Sequence, residues 1–266
     1  MPLVGRPPGQ QILSPLLLRK NIAVLPDAQL TAFRNAVSQA MALTDDRGYS
    51  YFAGWHGVPF NWCEHGTEWF LPWHRAYLHL FELALQRLVA GVTLPWWDWT
   101  TTNTVPRAYV DAPPEGSTNP LTGGDIMIFG SGRSQGQTQR SPGTDPQVPP
   151  LPYADRYAAA QATTSFADFT QALEQIHNDV HVWVGGTMSD ISYAAYDPLF
   201  FAHHTMIDRS WRIWQQTNPG ALPPAAILDQ AFPRGGPPGL TPRQVLDVTT
   251  LGYDYAVSEA TAAGPS

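Results

Sequence analysis

Apolar positions recur at helical spacing in four stretches of this chain. From about Ala28 to Leu43, one face carries Leu30, Phe33, Val37 and Met41. From about Glu68 to Ala90 the stripe is His74, Leu78, Phe81, Leu85 and Leu88, at steps of 4, 3, 4 and 3. Pro72 is compatible with that helix because it falls near the start, where its missing N–H leaves no bond unmade. A third stretch, about Phe166 to Trp183, has the stripe Phe166, Phe169, Leu173, His177 and Val180. The fourth begins at Pro198, a good first-turn residue, with Asp197 as its candidate N-cap. It runs to about Thr217, just before Asn218-Pro219-Gly220, with the stripe Phe200, His204, Ile207, Trp211 and Trp214. Tyr253 and Tyr255 alternate like a brief strand. The pattern predicts a mainly α fold: a four-helix bundle core with long irregular loops and little β.

Between the second and third helices, Thr100 to Ser165 is full of Pro, Gly, Ser, Thr and Gln. Such a stretch is either a linker between two domains or a long excursion from one. The histidines decide. There are eight, at 56, 65, 74, 79, 177, 181, 203 and 204, and they fall on both sides of the excursion.

His177 and His181 are four apart, so both occupy one helical face, one turn apart. His74 and His204 also fall on apolar stripes, and an imidazole buried there must be paired or ligated. His203 and His204 are adjacent and diverge by about 100°. His204 shares the inner stripe, whereas His203 belongs with Leu199, Met206 and Ser210. His79 is off its stripe and reads as a supporting or surface residue. Three helices thus turn histidine inward, the way bundles build metal sites, and His56 and His65 can reach the same place from a loop. A site drawing on both halves favours one domain over residues 1–266, with a core of about 18–255 and an insertion of about 100–165.

All-imidazole ligation suits copper, zinc, iron or nickel, and catalytic zinc commonly takes three histidines. Di-iron bundles use two Glu-x-x-His motifs; this chain has one, Glu174 to His177. Two histidine triads fit a copper pair that binds O2, with zinc as the alternative.

Charged residues are 14% and aromatics 12% of the chain, with ten Trp, which points to a compact, aromatic interior. The net charge is −7 and no basic run stands out, which argues against nucleic acid and anionic membranes as partners. No apolar run approaches the roughly 20 residues of a membrane span. Met1 to Gln11 is Pro/Gly-rich without the apolar segment of a secretory leader, and the single cysteine, Cys63, allows no internal disulfide. A cytoplasmic protein is the expectation.

Several motifs resemble those of tyrosinases, catechol oxidases and molluscan hemocyanins. His65-Gly-Thr-Glu-Trp-Phe-Leu-Pro-Trp-His74-Arg75 is similar to their first copper motif. His177-Asn-Asp-Val-His181-Val-Trp-Val-Gly-Gly resembles the start of the second, and Asp197-Pro-Leu-Phe-Phe-Ala-His-His204-Thr-Met-Ile-Asp208-Arg209 its end. Pro95-Trp-Trp-Asp-Trp99 and Tyr253-Asp-Tyr255 also look like family marks. The resemblance covers about Leu18 to Tyr255.

It implies two copper ions with O2 as co-substrate, the first copper on His56, His65 and His74, the second on His177, His181 and His204. His56, in Gly54-Trp55-His56-Gly57-Val58-Pro59, stands closer in sequence to His65 than in many members. Cys63 is two residues before His65, and a similar Cys-x-His in fungal tyrosinases forms a thioether. Glu174 and Asn178 match residues that hold a basic water, which implies ortho-hydroxylation of monophenols followed by oxidation of o-diphenols to o-quinones. Val182, Met188, Ile191 and Ser192 would border the substrate pocket, with Met188 to Ser192 as a gating loop. Phe200 would pack on the imidazoles, Asp197 and Asp208 would orient them, and Arg19 would tie the start of the chain to Tyr253–Tyr255. A small phenol is the implied partner. Many relatives also need a copper-loading protein or carry a C-terminal shield; only eleven residues follow Tyr255 here. Catechol oxidase, o-aminophenol oxidase and a hemocyanin-like O2 carrier share the same site.

Overall fold

The computed structural model describes residues 16–112 and 118–256. The Pro/Gly-rich start lies outside them. Helix α1 (Asp27–Ala42) buries Phe33, Ala36, Val37 and Ala40. Next come α2 (Tyr49–His56) and α3 (Phe70–Leu88), which takes Pro72 in its first turn. After the excursion follow α4 (Ala154–Gln161), α5 (Phe166–Val184) and α6 (Leu199–Thr217), and then a single turn, α7 (Ala225–Leu228). The Ser165 side chain caps α5 by accepting from Asp168 N. Asp197 Oδ1 accepts from Leu199 N at 2.9 Å and so caps α6. Among the described residues no helix is long and apolar enough to cross a membrane.

Helix α3 packs on α6, α5 lies against both, and α1 covers α3 from outside. One contiguous hydrophobic cluster runs from Ile22 to Tyr255. Its largest fully buried side chains include Trp73, Trp97, Trp99, Trp211 and Trp214. Strand β1 (Leu17–Arg19) pairs in parallel with β4 (Tyr253–Tyr255), joining the two ends of the described chain.

Three helices exceed the four read from periodicity. In α2 six of eight residues are buried, so no polar face marks it. His56 is therefore the last residue of a helix rather than part of a loop. The excursion is also more ordered than its composition suggests. It contains α4 and a hairpin of β2 (Asp125–Met127) and β3 (Ser134–Gln137). Its centre is fastened to the histidine-bearing helices. Ser141 N donates to Val184 O, Gly143 N to Trp183 O and Thr187 N to Gln139 O. Arg140 grips Asp197 through Nε (2.7 Å) and Nη2 (2.5 Å), and donates to Tyr109 O and Leu121 O as well.

A buried ion group closes the opposite side of α3 and α6. Arg19 bonds Glu82 (2.9 Å) and Asp208 (3.1 Å), Arg75 bonds Asp208, and the Tyr253 and Tyr255 hydroxyls donate to Asp208 at 2.7 and 2.5 Å.

Candidate metal centre

Four helices and one loop bring seven imidazoles to one place. His56 ends α2, His65 lies in the loop before α3, His74 is on α3, His177 and His181 are on α5, and His203 and His204 are on α6. The rings of His56, His65 and His74 are 5.1–5.7 Å apart centre to centre. His177 Nε2 and His181 Nε2 each lie 3.1 Å from His204 Nε2. His204 also groups with His56 and His74, so the two triads adjoin.

Hydrogen bonds fix which nitrogen faces inward. His74 Nδ1 meets Phe70 O at 2.8 Å and His181 Nδ1 meets Met188 O at 2.7 Å. A carbonyl only accepts, so both rings carry their proton on Nδ1 and leave Nε2 as a bare lone pair. His177 Nδ1 is placed the same way by Asn178 Oδ1 at 2.9 Å. The lone pairs of His177 and His181 converge on His204 Nε2, whose single proton can satisfy only one of them, whereas a cation among the three nitrogens satisfies all. Tetrahedral ligands at about 2.0–2.1 Å from a metal are about 3.3 Å apart, close to the 3.1 Å seen. The donor set therefore fits a metal.

Burial pushes the pKa of all seven imidazoles down, to about 4 for His65 and His181 and well below the ordinary value for His56, His74, His177, His203 and His204. They are neutral near pH 7, the form that binds metals. Phe200 stacks on His204 at 4.0 Å and stands edge-on to His56 at 4.7 Å. Cys63 is buried and groups with His56 and His65; burial raises its thiol pKa to about 12.

A cavity of about 790 Å³ opens onto His56, His65, His177 and His181. Glu174 is on its wall, accepts from Gly66 N at 2.6 Å, and has its pKa raised by burial. Asn178 borders the same space.

Several sequence expectations need correction. His203 does not turn away: it is fully buried, stacks on His177 at 5.1 Å and meets His181 edge-on at 4.8 Å. The 100° divergence on α6 is offset because α5 wraps both positions. Asp197 and Asp208 orient no imidazole; Arg140 holds the first, while Arg19, Arg75 and the tyrosine pair hold the second. The orienting acceptors are Phe70 O, Met188 O and Asn178 Oδ1. Val182, Met188 and Ile191 line the cavity, but Ser192 does not. Its carbonyl instead accepts from Val58 N at 3.1 Å and presses on Gly57, where any Cβ would collide with it. That contact seats the end of α2, and so His56. His79 stands apart, stacked on Tyr253 at 6.4 Å.

A helical bundle that converges neutral imidazoles from both halves of the chain on one open cavity defines a histidine-ligated metal protein. A family model described as the common central domain of tyrosinase matches residues 46–217. The chain belongs to the tyrosinase family of type 3 copper proteins, whose members hold two copper ions and use O2. It is 34% identical over 218 residues to hemocyanin units G and H of Sepia officinalis, covering 75% of this chain and 38% of that one. It is 35% identical to a tyrosinase of Streptomyces glaucescens over 62% of this chain and 69% of the relative. A functional unit of octopus hemocyanin has the same fold, with a TM-score of 0.75 and 30% identity, covering 90% of this chain and 68% of that one. The chain spans well under half the length of the Sepia relative.

Proposed function

We propose that this protein is an oxidase that uses O2 to hydroxylate monophenols at the ortho position and to oxidise o-diphenols to o-quinones. The observation that carries the reading is the open cavity above the histidines, within the roughly 300–1,000 Å³ typical of small-molecule sites. Glu174 and Asn178 on its wall place a proton acceptor and an amide beside the second triad.

His56, His65 and His74 would hold the first copper, and His177, His181 and His204 the second. When bound, the copper pair supplies O2 binding and one-electron redox chemistry. The remaining work falls to this chain. Glu174, its basicity raised by burial, holds with Asn178 a water that accepts the phenolic proton. Asn178 also fixes the His177 ring, and Phe200 keeps water off the face of His204 that it stacks on. Val182, Met188 and Ile191 shape the approach of the ring. Cys63 Sγ bonds to a ring carbon of His65, a step that removes two hydrogens and uses O2 as oxidant, and it locks that imidazole. Residues 18–255 act as a single catalytic domain.

A second reading, a hemocyanin-like O2 carrier, draws support from the 34% identity to the Sepia hemocyanin units. One experiment separates the two. Copper-loaded protein is given a monophenol, a catechol and an o-aminophenol, and product absorbance is followed. Catechol turnover with monophenol turnover supports the proposal. Turnover of catechol or o-aminophenol alone narrows it to a catechol or o-aminophenol oxidase. Reversible O2 binding without product replaces it with the carrier.

A further inference from the structure

The turn that follows α5 touches both triads. At one end, Met188 O receives the Nδ1 proton of His181 at 2.7 Å. At the other, Ser192 O accepts from Val58 N at 3.1 Å, two residues beyond His56. Gly57, next to His56, lies so close that an added Cβ would stand 2.0 Å from Ser192 O and 2.6 Å from Ser192 C. The φ of Gly57 is −110°, outside the left-handed region, so the close approach is what excludes a side chain there. His56 needs this support more than its fellow ligands do. Neither of its ring nitrogens makes a hydrogen bond of good geometry, whereas His74, His177 and His181 each have an acceptor on Nδ1. The Ile191 carbonyl of the same turn lies near enough to the His56 ring to oppose the lowering of its pKa by burial.

Between its two ends the turn is stiff. Asp190 O accepts from Tyr193 N at 2.9 Å and from Ala194 N at 2.7 Å, and Asp190 Oδ1 accepts from Ser192 N at 2.9 Å. Met188 N and Asp190 N return to Gly185 O and Thr187 O, at 3.2 Å each. A shift at one end is therefore carried to the other rather than absorbed along the way.

We propose that residues 188–192 are a positioning element shared by the two triads, through which metal held at one raises the affinity of the other. With His181 ligated through Nε2, its Nδ1–H stays on Met188 O and the turn is ordered. The ordered turn keeps Ser192 O on Val58 N and presents His56. That ordering is needed once, so the second ion binds without it, and the linkage works in both directions. The inference rests on the metal centre and not on the oxidase reading; it holds equally for an O2 carrier. Couplings of this kind are typically about 5–150-fold. One hydrogen bond and one packing contact at the ends of the turn place this one near about tenfold.

Histidine-selective NMR on the copper-free chain reads the geometry. Gly57→Ala should shift the ring signals of His56 and His181 and speed exchange of the His181 Nδ1 proton about tenfold. His74, held by Phe70 O, and His177, held by Asn178, should stay in place. Native mass spectrometry reads the coupling, with Cu(I) added anaerobically at one ion per chain. Independent, equal sites leave about half of the chains with a single copper, and tenfold coupling leaves about a quarter. Gly57→Ala should raise that fraction toward half. So should Asp190→Ala, which removes the exposed carboxylate that steadies Ser192. A one-copper fraction of half or more in the parent, fractions unchanged in both variants, or ring signals of all four histidines shifting together overturns the coupling. Failure of the parent chain to take up copper at all overturns the metal centre, and the coupling falls with it.

Discussion

Replacing Arg140 by alanine isolates what fastens the excursion to the metal centre. The Arg140 guanidinium holds Asp197 with two N–H groups and spends others on Tyr109 O and Leu121 O. Asp197 has no solvent exposure, and its side chain has only Leu199 N as a further partner. Arg140→Ala therefore leaves a carboxylate buried without a counter-charge. Breaking such a pair costs roughly 3–5 kcal/mol. The Arg140 side chain is 10% exposed, so some water can follow, and the low end, about 3 kcal/mol, applies. In a chain of this size each kcal/mol moves Tm by about 2–4 °C, giving a drop of about 6–12 °C. Calorimetry on the copper-free chain measures it. Most of the loss is the cost of the unpaired charge, so Arg140→Ala combined with Asp197→Asn should regain at least half of it, since the amide oxygen can still cap α6. Copper content should fall in the single variant, because the strap also steadies the turn where Met188 O receives His181. A Tm within about 1 °C of the parent, or a double variant no more stable than the single one, would refute this account.

Glu174→Gln should lower monophenol turnover by about tenfold to a hundredfold beyond any loss with catechol, read from initial rates; equal losses would remove Glu174 as the water's anchor. Protein matured with copper and O2 should be lighter than the copper-free chain by two hydrogens in intact-mass measurement. Cys63→Ser should abolish that difference, and an unchanged parent mass would exclude the thioether. The copper-free chain should lose stability on acidification. His65 and His181 titrate near 4 when folded against an ordinary value of 6.5, so the unfolded chain takes up protons first. Stability is complete above about pH 6.5 and falls as pH drops toward 4, by up to about 1.4 kcal/mol per pH unit for each imidazole. Urea midpoints at pH 7, 6 and 5 check this, and a flat profile would contradict it.

Legibility in the sequence followed amphipathicity. Helices α1 and α5 each bury one face, while α3 and α6 are buried all round in their first halves and one-sided only in their later turns, and periodicity located all four to within about two residues. The same stripes selected His74, His177, His181 and His204. Helix α2 is buried on nearly every side, so its pattern carries no period, and the helical placement of His56 was hidden with it. The β2–β3 hairpin buries little beyond Ile126 and has no alternation to detect. Asp197 and Asp208 were visible as acids beside the ligands, but their partners are 57 and 133 or more positions away, at Arg140 and at Arg75 and Arg19. Local spacing cannot find such pairs. His203 was misplaced because a helical wheel knows only its own helix, not that α5 covers both neighbouring positions.

The ion group at Asp208 also bears on the order in which the molecule is made. Arg19 is made 236 positions before Tyr255, yet its cluster is completed only by Tyr253 and Tyr255, the last strand of the described chain. Until that strand arrives, a guanidinium destined for a dry interior lacks two of its phenolic neighbours, and β1 has nothing to pair with. The side of α3 and α6 opposite the histidines is therefore closed by residues at two distant points of the chain, and it cannot close until the chain has been made through Tyr255.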